Sequence, residues 1–116
     1  VGNRVIISLS GKLAGYKIES GEPAWFGTDG GNSYSSPHLV TIAGIRQVLL
    51  MSKTGATSIE PESGRPLWNY EWLMQDRILQ PAVIGGGDLL IVGETQAIRR
   101  IKITNDYGTW SVKELW

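Results

Sequence analysis

Short apolar runs separated by turn residues recur along the whole chain. The clearest runs are residues 5–7, 48–51 and 89–92. Further on, Ile101 and Ile103 alternate with basic residues, which is the period-two pattern of a half-buried strand. No run approaches the ~20 apolar residues of a helix that spans a bilayer. The pattern predicts β-strands throughout and no long helix.

The chain contains an internal repeat. The sequence SGEPAW at residues 20–25 returns as SGRPLW at residues 63–68, 43 positions later. The apolar run at 5–7 matches 48–50 at the same distance, and Trp110 follows Trp68 after 42 positions. Markers of different kinds therefore share one period.

Each unit of the repeat reads as a row of antiparallel strands. In the second unit we predict strands at 36–42, 47–52, 56–60 and 66–70, with Gly44, Gly55 and Gly64 in the turns. The third unit repeats this pattern from Pro81, with strands at 89–92, 98–103 and 108–115. The first unit has only three predicted strands. The predicted units cover roughly residues 1–34, 35–78 and 79–116.

A four-stranded unit with a period of ~40–45 residues is typical of a β-propeller blade. We therefore predict an all-β fold, a β-propeller fragment of about two and three-quarter four-stranded antiparallel blades that together form a single partial domain, 1–116. Propellers usually close with ~4–8 blades. We expect the chain to be an excerpt of a larger ring, or copies of it to assemble.

The residues before each repeated tryptophan resemble the tryptophan-docking motif of the quinoprotein-type propellers. That motif has a small residue first, an acid third, a glycine seventh and a tryptophan eleventh. The second unit has Glu60 in the acidic place, the first has Lys17, and the third keeps only the tryptophan. In such a motif the ring covers a position without a bulky side chain, and the glycine supplies a positive φ. The residues assigned to structural docking are Gly15, Gly21, Trp25, Ser58, Gly64, Trp68 and Trp110.

The chain is similar to the PQQ-like repeat proteins, a group that includes relatives of the outer-membrane assembly lipoprotein BamB. The segment at 34–40 also resembles their blade openings. The resemblance implies a non-catalytic structural and protein-interaction scaffold in an extracytoplasmic compartment of bacteria. One alternative is a quinoprotein dehydrogenase that holds PQQ and calcium on the propeller axis, and a second is a carbohydrate-binding or sensor propeller. We expect no cofactor unless the dehydrogenase alternative holds.

Residues that open the two complete units are the candidates for binding. An innermost strand of a propeller faces the central channel, so its side chains can contact a ligand or a protein partner. His38, the chain's only histidine, lies in such a segment. The candidate channel-facing residues are Tyr34, Ser36, His38, Arg77 and Gln80.

Composition narrows the remaining chemistry. The chain has 11 basic and 11 acidic residues, which gives no field to attract nucleic acid or an acidic membrane. It has no cysteine, so a disulfide, a thiol nucleophile and the vicinal cysteine pair of many quinoprotein dehydrogenases are excluded. The glycines at 85–87 lack the spacing of a phosphate-binding loop and are predicted to form a hairpin turn. We predict no catalytic, cofactor-binding or metal-binding residue; the expected partners are a protein, further blades or a second copy.

Two further groups of residues have simple interpretations. The turn carboxylates Glu19, Glu22, Glu60 and Glu62 are expected to face solvent rather than to form a glycosidase pair. Arg99 and Arg100 are expected to form a solvated edge that discourages strand pairing. Trp72 and Trp116 lie outside the register of the repeat and are the candidates for exposed contacts.

Overall fold

The computed structural model describes residues 1–29, 35–73, 79–93 and 97–116, and this part of the chain is all-β. Eleven strands and no helix are present in these ranges. The prediction of an all-β fold is confirmed. The strands are β1 (Arg4–Leu9), β2 (Lys12–Lys17), β3 (Pro23–Asp29), β4 (His38–Ile42), β5 (Ile45–Ser52), β6 (Gly55–Ile59), β7 (Pro66–Glu71), β8 (Ala82–Ile84), β9 (Asp88–Val92), β10 (Ile98–Asp106) and β11 (Thr109–Glu114).

The described strands form three antiparallel sheets, one in each predicted unit. Sheet 1 contains β1 to β3, sheet 2 contains β4 to β7, and sheet 3 contains β8 to β11. Within each sheet, neighbours in sequence are neighbours in space, so each sheet is a simple meander. The described strands close into neither a barrel nor a ring.

Tight hairpins explain several of the turns. Two-residue turns at Ser10-Gly11, Ala43-Gly44 and Tyr107-Gly108 join β1 to β2, β4 to β5, and β10 to β11. All six residues have a positive φ, between 50° and 89°. This is the type I′ geometry, whose twist matches that of the flanking strands. The last of these turns extends β10 to Asp106, beyond the predicted end of that strand at Ile103.

Sheet 2 is the middle layer of a stack. Val48 and Leu50 pack with Leu13 of sheet 1, whereas Leu49 and Met51 belong to a larger core shared with sheet 3. Successive residues of a strand point to opposite faces, so a strand that is covered on both sides favours apolar residues at successive positions. The unbroken apolar run at 48–51 therefore reflects burial on both faces.

The two outer faces of the stack differ in character. The exposed large apolar side chains of sheet 1 include Val5, Ile7, Leu9 and Phe26. Ile7 and Phe26 both pair with Ala14, which places these two side chains on the face away from sheet 2. In sheet 3, the residues that alternate with the buried isoleucines of β10 are Arg100 and Lys102, and Lys102 pairs with Lys113. One outer face is therefore mainly apolar and the other is basic.

No helix long and apolar enough to cross a bilayer occurs in the described ranges.

Candidate functional site

Trp25 of β3 connects sheet 1 to sheet 2. Its strand partner is Gly15, where an added Cβ would lie only 2.4 Å from the indole ring. On sheet 2, an added Cβ at Gly64 would lie 2.5 Å from the same ring. The indole Nε1 also donates a hydrogen bond of 3.1 Å to the carbonyl oxygen of Pro61. The ring is thus held between two glycines and tied to the backbone of the next sheet.

The two turns that precede the tryptophans have the same backbone geometry. Gly21 has a φ of 71° and Gly64 a φ of 73°. The amide of Gly21 donates to the Lys17 carbonyl and that of Gly64 to the Glu60 carbonyl, both at 2.9 Å. Next to each tryptophan one strand has an extra residue, so that Gly15 faces Trp25 while Tyr16 faces Pro23, and Ser58 faces Trp68 while Ile59 faces Pro66. Both turns therefore place a glycine in the left-handed region and a bulge beside the ring.

The two turns carry the same ion pair with its charges exchanged. Lys17 Nζ lies 3.1 Å from Glu22 Oε2, and at the corresponding positions Glu60 Oε1 lies 3.6 Å from Arg65 Nη2. Ser63 Oγ donates a hydrogen bond to Glu60. This hydrogen bond, followed by the charge of Arg65, lowers the pKa of Glu60 below its usual value. Lys17 stands in the acidic place of the motif, but its partner Glu22 is acidic, so the ion pair across the turn is preserved.

Trp68 of β7 is anchored differently, by a buried glutamine of its own sheet. Trp68 Nε1 and Ser58 Oγ each donate a hydrogen bond of 2.7 Å to Gln47 Oε1. The Gln47 amide nitrogen donates to the carbonyls of Ile42 and Ile45. Sequence reasoning missed Gln47; its signal was an amide side chain directly before a fully apolar run.

Trp110 departs from the register of the other two tryptophans. Its strand partner is Asn105, whereas the position expected opposite it, Arg100, lies near the far end of the hairpin. The tight turn at Tyr107-Gly108 replaces the longer, bulged connection of the other sheets and shifts the register. Trp110 packs against the core between sheets 2 and 3.

The openings of the second and third units meet each other. The side-chain amide of Gln80 donates long hydrogen bonds, 3.5 and 3.4 Å, to the carbonyls of Ser36 and Pro37. Ser35 Oγ donates to the Leu79 carbonyl at 3.3 Å. Ser36 and Gln80, two of the candidate channel-facing residues, are therefore in contact. The candidates Tyr34 and Arg77 lie outside the described residues.

His38 begins the first strand of sheet 2 and is half-buried. Its Nδ1 is buried and has no hydrogen-bond partner among the described residues. The described residues, His38 included, contain no group of three or more metal-ligating side chains.

A polar cluster joins sheet 2 to sheet 3. Tyr70 Oη donates to Glu114 Oε2 at 2.5 Å, and Arg99 Nη1 donates to Tyr70 Oη at 2.7 Å. The guanidinium carbon of Arg99 lies 4.2 Å from the centre of the Trp72 ring, in cation–π contact. Burial and the hydrogen bond to Glu114 raise the pKa of Tyr70. Sequence reasoning missed this cluster because its members come from three strands and a loop.

The expectation of a solvated edge at Arg99 and Arg100 is wrong. Strand β10 is not an edge strand, because it pairs with both β9 and β11. Arg99 takes part in the cluster between the sheets, and Arg100 Nη2 lies 2.5 Å from the buried carboxylate of Asp88. Trp72, a candidate for exposed contacts, packs under Arg99, whereas Trp116 is 60% exposed.

Comparison with known proteins does not assign the chain to a family. No protein-family model matches it, and no curated protein matches it. The inference of function therefore rests on the contacts between the sheets.

Proposed function

We propose that the chain is a non-catalytic segment of a β-propeller of the PQQ-like repeat type that acts as a structural and protein-interaction scaffold. The docking of Trp25 between Gly15 and Gly64 carries this proposal, because there the tryptophan of the first repeat contacts the turn glycine of the second and ties sheet 1 to sheet 2. Three meanders that stack in chain order are what successive blades require.

The outer face of sheet 1 is the surface through which we expect the scaffold to associate. Its apolar side chains are exposed, and β1 pairs on one side only within the described strands. An unpaired strand beside an apolar face is a template for another sheet. The partner that fits is a further sheet of the same kind, either another blade or a second copy of the chain.

Sedimentation of the isolated chain over a concentration series tests this association. Leu9 is 47% exposed on β1, and Leu115, just after β11, is 40% exposed and serves as the matched control. Leu9→Lys should weaken self-association by about tenfold or more, since it removes about 1.5 kcal/mol of apolar burial. Leu115→Lys should leave association unchanged. A wild-type chain that remains monomeric at every concentration contradicts the proposal.

A second assay separates the scaffold from the dehydrogenase alternative. The chain is incubated with PQQ and calcium, and dye-linked alcohol oxidation is measured. The scaffold proposal predicts no turnover above background. Turnover that depends on added PQQ would favour the dehydrogenase instead.

A further inference from the structure

We propose that the cleft between sheets 1 and 2 is a binding site for a neutral ligand rich in hydroxyl groups, of the size of one sugar ring. The cleft has a volume of about 280 Å³. This is near the lower end of the ~300–1,000 Å³ range of small-molecule sites, which limits the ligand to about one ring.

The cleft between sheets 1 and 2 lies where the first repeat has a glycine, Gly27, in place of a large side chain. Two positions after Trp68, Tyr70 enters the contact between sheets 2 and 3 and reaches Glu114. The corresponding residue two positions after Trp25 is Gly27, which lines the cleft. Equivalent positions of a repeat normally pack in equivalent ways. The contact between sheets 1 and 2 is therefore open at the position where Tyr70 fills the contact between sheets 2 and 3.

The polar walls of the cleft come from both sheets. Thr57 and Asn69 are strand partners in sheet 2, and Leu50 is the next partner of Thr57 in the same row. These three residues line the cleft together with Thr28 and Asp29 of sheet 1. Hydroxyl and amide groups can both donate and accept hydrogen bonds, which is what the hydroxyls of a sugar require.

The apolar floor and the charge of the cleft further restrict the class of ligand that it can bind. Leu13, Leu50 and Ile59 provide an apolar surface for the C–H groups of a ring. Asp29 is the only charged side chain among the described residues that line the cleft. With no cationic group in that lining, a phosphate or carboxylate ligand is disfavoured and a neutral one is favoured.

An unsatisfied hydroxyl lies in the adjoining part of sheet 1. Ser8 is the strand partner of Leu13, and its Oγ is buried without a hydrogen-bond partner among the described residues. Buried polar groups are normally paired. The contact between sheets 1 and 2 is therefore incomplete in hydrogen bonding as well as in packing.

Saturation-transfer NMR with D-glucose, D-galactose and D-xylose as neutral probes, and D-glucuronate as a charged probe, tests the site. We expect at least one neutral sugar to bind, and to bind more tightly than glucuronate. Thr57→Val and Asn69→Leu remove polar groups at similar volume and should each weaken binding about fivefold. Thr109→Val, on an exposed position of β11, should not change it.

A blocking variant provides an independent readout. Gly27→Tyr restores the side chain of the corresponding position and should abolish binding. Its Cβ would lie 3.2 Å from the Leu13 carbonyl oxygen, so circular dichroism must first show that the variant folds. If Gly27→Tyr does not fold, Thr57→Val and Asn69→Leu still test whether the sugar binds in the cleft.

Three results would overturn the site: no binding of any neutral sugar, tighter binding of glucuronate, or affinity that neither Thr57→Val nor Asn69→Leu alters. The cleft is built from two sheets of this chain and needs neither ring closure nor a partner. A negative result would therefore leave the scaffold proposal standing.

Discussion

At the scale of single residues, two glycines with the same backbone conformation have different neighbours. Gly21 and Gly64 both have φ above 70°, which disfavours any side chain. An added Cβ meets nothing within 4 Å at Gly21, but at Gly64 it meets the Trp25 ring at 2.5 Å. The pair therefore separates the cost of the turn from the cost of tryptophan docking.

Substitution of each glycine by alanine measures that difference. Gly21→Ala should lower the free energy of unfolding by about 1 kcal/mol, the cost of the left-handed conformation. Gly64→Ala should lower it by about 2 kcal/mol more, because the indole must also be displaced. Urea denaturation provides the measurement. Equal losses in the two variants would show that the ring does not press against Gly64.

Truncation of Trp68 tests the second docking position. Trp68 is 5% exposed and hydrogen-bonded to Gln47, so Trp68→Ala should cost about 3–5 kcal/mol of unfolding free energy. Trp116→Ala, at a largely exposed ring, should change it by less than about 0.5 kcal/mol. Thermal or chemical denaturation monitored by circular dichroism compares them. A loss below about 1 kcal/mol for Trp68→Ala would be inconsistent with its burial.

At the scale of elements, the turn between β6 and β7 links stability to pH. The hydrogen bond from Ser63 and the charge of Arg65 hold the pKa of Glu60 below its usual value of 4.5. A carboxyl whose pKa is lower in the folded state stabilises the fold fully above its unfolded pKa. That contribution is lost as the pH falls through the folded pKa.

Glu60→Gln should therefore remove part of the loss of stability that the wild type shows below about pH 4.5. The effect is small, because the turn is exposed and solvent screens the pair. Lys17→Gln, at the corresponding position of sheet 1, is the control and should keep the acid dependence that Glu60 causes. Melting temperatures measured from pH 2 to 7 make the comparison, and identical profiles for wild type and Glu60→Gln would contradict it.

At the scale of the whole molecule, the two contacts between sheets are unequal. Among the described residues, ten buried hydrophobic side chains form the core between sheets 2 and 3, whereas four form the core between sheets 1 and 2. The contact between sheets 2 and 3 also has the Tyr70, Arg99 and Glu114 cluster. Sheet 1 is thus held by less buried apolar surface.

Native-state hydrogen exchange should therefore release sheet 1 first. Regions with few buried contacts open at lower free energy than the core. We expect the amides of β1 and β2 to exchange faster than those of β5 and β10, as measured by mass spectrometry of peptic fragments. Equal protection in all of these strands would show that the three sheets unfold as one unit.

The sequence by itself determined the strands, the period of the repeat and the pairing of Trp25 with Gly15. These features depend on local pattern: alternation sets the strands, and the repeated spacing places Gly15 opposite Trp25 and puts Gly21 and Gly64 in equivalent turns. The apolar run of β5 likewise indicated a strand before any fold was known.

Only the tertiary structure decided which side chains meet across sheets. Trp110 lost the docking register through a tighter hairpin, and Arg99 became part of a contact between sheets rather than a solvated edge. Gln47 gained its role as a shared acceptor only when Trp68 and Ser58 were brought to it. The physical reason is that local preferences fix strands and turns, whereas pairing register and packing depend on residues that are distant in sequence.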